Sequence, residues 1–300
     1  MLTRRTLMTT TLALGASALV APVGSAAASS GGSLRWKHFP AGPNGFFRAP
    51  LLLTGPSEAL LVDGGFTYPD GRAMVEAIRA SGKRLTAIYI SQSDPDYYFS
   101  LKPLHEAFPD TRVIAASATV AAIKGNVAKK LETWGPRLKE NGPQTLADIV
   151  LPEVFDGRTL TVDGQSVEIV TAEGLANRRY LWAPSLNAVF GGVLVFSGVH
   201  VWTADTPTKE SRAAWIAALD RMAARRPAIV VPGHMAPDAA TDPSGIAFTK
   251  RYLLAFEEEL PKAADSAALK AAMEARFPGL GMGVALDIGA KVAKGEMAWG

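Results

Sequence analysis

The sequence predicts an α+β fold, a four-layer α/β/β/α sandwich. The order of segments carries this: strands with helices fill the first half, and strands with helices recur in the second. Two sheets packed face to face, with helices outside, satisfy that order. An apolar strand at 85–90, a helix at about 99–108 and a strand at 112–115 add a β-α-β unit. Asp163-Gly164, between two short alternating runs, is a hairpin signal. Strand order alone is also compatible with other α+β folds.

The elements follow in chain order. Two strands are expected at 46–53 and 59–63, with Gly55-Pro56-Ser57 as the turn between them. Pro69-Asp70-Gly71 reads as another turn. Met74, Val75 and Ile78 then share a helix face that stops near Gly82. A helix is expected over 119–131, broken by Gly135-Pro136. Short strands are expected at 159–162, 166–171, 179–183, 188–190 and 193–196. Thr206-Pro207 opens a helix running to about 224, with Thr206 as the cap. A buried strand at 228–231 ends at Pro232-Gly233-His234, and helices at about 245–259 and 264–275 fill the remainder.

Composition sets the outer bounds. The chain has 300 residues, 48% of them hydrophobic, enough for a sizeable core. It has no cysteine, so disulfides and thiolate metal ligands are excluded. Residues 1–28 read as an export signal: Arg4-Arg5, an apolar run over 12–23, then Ala26-Ala27-Ala28. The arginine pair resembles a twin-arginine signal, which predicts passage through the export machinery and a periplasmic or secreted protein. No other run is long enough to cross a bilayer, so no membrane span is expected in the mature chain. Residues 29–45 are expected to form a linker and an N-terminal strand region, and 46–300 the main domain. Without the two leader arginines, 29 of the 31 basic residues remain against 28 acidic ones. A formal charge of +1, with no basic patch interleaved with aromatics, gives no support for a nucleic-acid partner.

The chemistry concentrates after the strand at 85–90, in Ser91-Gln92-Ser93-Asp94-Pro95-Asp96-Tyr97-Tyr98. Alternate residues of an extended chain point to one side, so Gln92, Asp94 and Asp96 are expected to converge. The stretch resembles the metallo-β-lactamase family, whose signature there is His-x-His-x-Asp-His. Gln92 and Asp94 stand at its first two histidines, Asp96 at its aspartate and Tyr97 at its third histidine. The resemblance spans about 46–237 and implies the four-layer sandwich. It also implies that Asp63, in Asp63-Gly64-Gly65, supports the site from behind. Leu175 and Val193 stand where the family has a histidine and a metal-bridging aspartate, and His234 keeps the last ligand.

That set of residues argues against a dinuclear centre, because the bridging carboxylate is gone. Asp94, Asp96 and His234 are the expected ligands of at most one divalent ion, zinc or manganese. Asp96 and Tyr97 are the candidate catalytic groups, with Tyr97 or Tyr98 donating a proton. Gln92, Tyr98, His200, Trp202 and Asp205 are expected around the ligand pocket, with Asp205 alternatively capping a helix. His105 is expected on an exposed helix face. A second reading has Asp96 and His234 only hydrogen-bonding across the fold. The resemblance implies an exported, divergent hydrolase of an ester, amide, lactone or phosphoester. The alternative is a non-catalytic binding or accessory protein that holds a small molecule without any metal.

Overall fold

A computed structural model of the protein describes residues 33–299. The export segment expected at 1–28 lies outside the described residues. The chain order is β1 (Arg35–His38), β2 (Leu51–Thr54), β3 (Glu58–Val62), α1 (Tyr68–Ser81), β4 (Arg84–Ile90), α2 (Leu101–Ala107), β5 (Arg112–Ala115), α3 (Ser117–Leu138) and β6 (Glu153–Val154). The second half holds β7 (Thr159–Val162), β8 (Gln165–Thr171), β9 (Arg179–Ala183), β10 (Ala188–Phe190), β11 (Phe196–Ser197), α4 (Lys209–Ala224), β12 (Ile229–Val230), β13 (His234–Met235), α5 (Ser244–Glu259), α6 (Ser266–Arg276) and α7 (Gly283–Ala293).

Strands β1 to β6 form one sheet in sequence order, and β12-β10-β9-β8-β7 form the second; β11 and β13 make a separate parallel pair. Alternation along the strands shows how the sheets stack. Leu51, Leu53, Leu60, Val62 and Tyr89 share a buried cluster with Leu160, Val162, Val167, Leu181 and Phe190, which is the seam between the sheets. Their neighbours Leu52, Ala59, Leu61, Ile88 and Ile90 belong instead with Met74, Val75 and Ile78 of α1. Strands buried on both faces lose the polar alternation of a surface sheet, which is why β3 reads as a nearly continuous apolar run. On the far side, Tyr180, Trp182 and Val189 join Trp215, Leu219 and Met222 of α4. The predicted α/β/β/α layering is present.

Several boundaries depart from the expectations, each for a local reason. The strand expected over 46–53 begins only at Leu51, because Phe46 and Phe47 both have positive φ, 54° and 56°. Pro69-Asp70-Gly71 is not a turn but the first turn of α1, closed by a reciprocal cap between Thr67 and Asp70. Helix α3 runs through Pro136 and ends two residues later, at Leu138. The strand expected at 193–196 is reduced to β11, after Gly191 and Gly192 turn the chain in left-handed conformations of φ 70° and 72°. Thr208, not Thr206, caps α4. Asp163 and Gly164 do form the hairpin turn, at φ 46° and 76°.

Candidate functional site

The centre of the site is a residue the sequence did not single out. Arg48 lies in the segment before β2 and is fully buried. Backbone pairing places it: Ala49 N donates to Gly233 O at 3.1 Å and Met235 N to Phe47 O at 2.8 Å, laying 47–49 beside 233–235. The guanidinium Nη1 donates to the Gly233 carbonyl. Nη2 donates to Asp63 Oδ2 at 3.1 Å. The guanidinium carbon sits over the Tyr97 ring, 3.5 Å from the ring centre. Nε has no hydrogen-bond partner and sits 3.8 Å from Asp96 Oδ2. Gly233 is required here, since a Cβ would strike the Gly192 carbonyl and approach Arg48 Nη1.

Asp63 ties this cation to β4. It sits at φ 64° and accepts from the Ser91 amide at 2.7 Å and the Ser91 hydroxyl at 2.8 Å. Ser91 Oγ in turn accepts from Gly192 N at 2.8 Å, and the Tyr97 hydroxyl donates to Gly192 O at 3.1 Å. Strained residues gather here: Phe46, Phe47 and Asp63 all occupy the left-handed region without being glycine.

His234 Nδ1 donates to the Phe46 carbonyl at 2.7 Å, which leaves the Nε2 lone pair facing Asp96 Oδ2 at 3.6 Å. The imidazole stacks on Phe196, 4.9 Å between centroids. Burial, reinforced by Arg48, pushes its pKa down to about 3, so the ring is neutral. Burial pushes the Asp96 carboxyl up to about 7; Arg48 opposes this and Asp94 adds to it. Burial also raises Asp94, with Asp205 adding to the shift. The cation nearest Asp94 is Lys130, at 3.8 Å.

Above these groups is a pocket of about 50 Å³ whose wall is aromatic: Phe46, Phe66, Trp134, Trp202 and Trp299, with Asp94, Asp96 and Lys130 as its charges. It adjoins a cleft of about 630 Å³ that shares Asp94, Lys130, Trp134 and Trp299.

The predicted residues divide. Asp96, Tyr97, His234 and Trp202 line the pocket, Asp205 lines only the outer cleft, and Asp94 reaches both. Asp63 buttresses from behind. Asp94, Asp96 and His234 do not come together as an ion's ligands: among the described residues no group of three His, Asp or Glu can hold one. Tyr97 is not a proton donor to the pocket, because its hydroxyl is spent on Gly192 and burial drives its pKa well above the ordinary value. Gln92 and Tyr98 are buried and line neither pocket nor cleft. The Gln92 amide oxygen accepts from Ser93 N at 2.9 Å. His200 is likewise elsewhere, buried with Nδ1 3.0 Å from the Tyr252 hydroxyl. Asp205 does not cap α4; it pairs with Arg178 at 2.8 Å and accepts from Trp299 Nε1 at 2.8 Å. His105 is exposed, as expected. The one signal for Arg48 was a lone charge inside the apolar run 46–53. Trp134 stood past the expected helix end at 131, which hid it.

A sequence model of the metallo-β-lactamase superfamily matches residues 44–234, well over half of the chain. The chain belongs to the metallo-β-lactamase superfamily. Solved structures of that fold agree. A metallo-β-lactamase family protein from Thermus thermophilus superposes with a TM-score of 0.59 at 16% identity, over 88% of this chain and 93% of its own. A β-lactamase domain protein from Burkholderia ambifaria gives 0.59 at 17%, over 87% and 84%. A metallo-β-lactamase from Pontibacter korlensis gives 0.53 at 18%, over 69% and 87%. No curated protein sequence matches the chain.

Superfamily membership implies zinc, and the residues here do not fit it. Leu175 and Val193, which the resemblance sets at two metal-ligand positions, are buried hydrocarbons. The Gln92 oxygen is used by the backbone. Asp94, Asp96 and His234 are the remaining donors, and beside Asp96 sits the guanidinium of Arg48.

Proposed function

We propose that this protein is a metallo-β-lactamase-fold small-molecule-binding protein that works without a resident metal in its hydrolase-derived cleft. The observation that carries this is Arg48, whose charge answers Asp63 behind the site and approaches Asp96, a carboxylate that a metal site would otherwise use. Placing a divalent ion beside a buried guanidinium incurs like-charge repulsion that a low-dielectric interior strengthens. The aromatic pocket supplies what a ligand site needs, an apolar wall with a few convergent polar groups. The export-like leader supports a periplasmic or secreted location, and among the described residues no helix is long and apolar enough to cross a membrane.

A second reading is a metal-independent hydrolase. One arrangement favours it: Arg48 Nε at 3.8 Å and His234 Nε2 at 3.6 Å both face Asp96 Oδ2, with Nε otherwise unpartnered. A donor and two acceptors at that spacing can hold a water, with Asp96 taking its proton. Elemental analysis of protein purified without chelators tests the main reading. It is expected to show well under one equivalent of zinc or manganese, and added zinc is expected to leave the melting temperature unchanged. A stoichiometric ion that also raises the melting temperature rejects it. Hydrolysis by chelator-treated protein, abolished by Asp96→Asn, selects the second reading.

A further inference from the structure

We infer that the pocket above Asp96 takes the compact cationic head of an organic ligand, an alkylammonium or quaternary ammonium group. The inference rests on the metal-free reading of this cleft. Phe46, Phe66 and Trp134 pack edge to face with centroids 5.0, 5.1 and 5.5 Å apart, and Trp202 and Trp299 meet edge to face at 5.1 Å. Aromatic walls attract cations through their ring quadrupoles, most strongly where water is excluded. A cation already sits against this wall: Lys130 Nζ is 5.1 Å from the centre of the Trp299 ring.

The second observation is Asp96. Its side chain is 12% exposed, its carboxylate receives no hydrogen bond from another described residue, and its ion contacts are at 3.6 and 3.8 Å, beyond hydrogen-bond reach. A buried carboxylate with unfilled acceptor capacity is costly unless something supplies a positive charge. Inside the fold that demand is incompletely met. Asp63, Asp94 and Asp96 face Arg48 and Lys130, so one negative charge stays unmatched when all are ionised. His234 adds no charge, and Arg178 and Asp205 neutralise each other. The pocket's about 50 Å³ suits a head group, while the wider cleft suits the rest of a longer molecule.

Choline, its neutral isostere 3,3-dimethyl-1-butanol and the anion 3,3-dimethylbutanoate separate the possibilities. Each is titrated into chelator-treated full-length protein, followed by calorimetry and tryptophan emission. Choline is expected to bind one site, at least about tenfold tighter than the alcohol. Asp96→Asn, checked for folding by circular dichroism, is expected to weaken choline by about tenfold or more and leave the alcohol unchanged. Lys130→Met is expected to strengthen choline, because it removes the competing internal cation. Equal binding of choline and the alcohol overturns the cationic head while leaving the cleft a ligand site. Preference for the anion, lost in Lys130→Met, overturns it in favour of an anionic ligand. No choline binding at millimolar concentration also overturns it. Failure of the metal-free reading itself has a different signature, one chelator-resistant equivalent of zinc.

Discussion

At the scale of single residues, Asp96 and His234 are buried neighbours whose proton affinities are displaced in opposite directions. The folded Asp96 holds its proton up to about pH 7 against an ordinary 3.8. It therefore favours the fold at low pH, and that contribution is lost as pH rises through about 7. The folded His234 resists protonation down to about 3 against an ordinary 6.5. It favours the fold above 6.5, and that contribution is lost as pH falls toward 3. Between about pH 4 and 6.5 the two slopes oppose each other, so the pair contributes little net pH dependence to the wild type. Replacing one partner uncovers the other. Asp96→Asn is expected to lose stability as pH falls below 6.5, with a limiting slope of about 1.4 kcal/mol per pH unit. His234→Asn is expected to lose stability as pH rises from about 4 to 7. The groups facing the pair, Arg48, Asp94 and Lys130, stay in place in both variants. Urea unfolding across this range measures both slopes. Two variants with the same sign of slope would contradict the opposed displacements.

At the scale of elements, caps and turns decide where the site's supports begin. Thr67 and Asp70 cap α1, and the backbone just before them holds the site: Gly64 N donates to Tyr97 O at 2.8 Å and Gly65 N to Ser100 Oγ at 2.6 Å. Thr67→Ala is expected to cost about 1 kcal/mol in urea unfolding, as cap removals generally do, and to leave ligand binding within about twofold. A null effect would mean the cap is dispensable. The same turn shows what the sequence made legible. Periodicity located α1 through its one apolar face, and short apolar runs located β4 and β5, which are buried on both faces. Pro69-Asp70-Gly71 misled because Pro suits both a turn and a first helical turn, and only the reciprocal Thr67–Asp70 bonds decide between them. The site was half legible for a similar reason. Asp96 and His234 announce themselves by local motif. Arg48 acquires its meaning from Gly233, 185 residues away, and from a ring stacked beneath it. No local pattern encodes such a partnership.

At the scale of the whole molecule, one buried charge ties the two halves of the sandwich together at the site. Arg48 from the N-terminal half bonds to Gly233 of the C-terminal half and to Asp63, while Ser91 links Asp63 to Gly192. In a metal-dependent relative an ion could make that connection; here the chain makes it itself. Restoring the family's donors alone should therefore not restore the metal. Gln92→His, Asp94→His, Tyr97→His, Leu175→His and Val193→Asp together rebuild the set that the resemblance implies. With Arg48 still present, a dication at roughly 4 Å from the guanidinium meets repulsion of about 8 kcal/mol at an effective dielectric near 20. Adding Arg48→Ala removes it and leaves Asp63 without its partner, a loss of about 3–5 kcal/mol in the metal-free state. The six-site variant is thus expected to be poorly stable alone and to gain melting temperature on zinc addition. Its zinc affinity, measured by competition with a chelator, is expected to exceed that of the five-site variant by at least about a hundredfold. Equal affinities in two folded variants would show that the guanidinium does not exclude the ion. On the proposed metal-free reading, the missing histidine and aspartate donors would then be the whole reason.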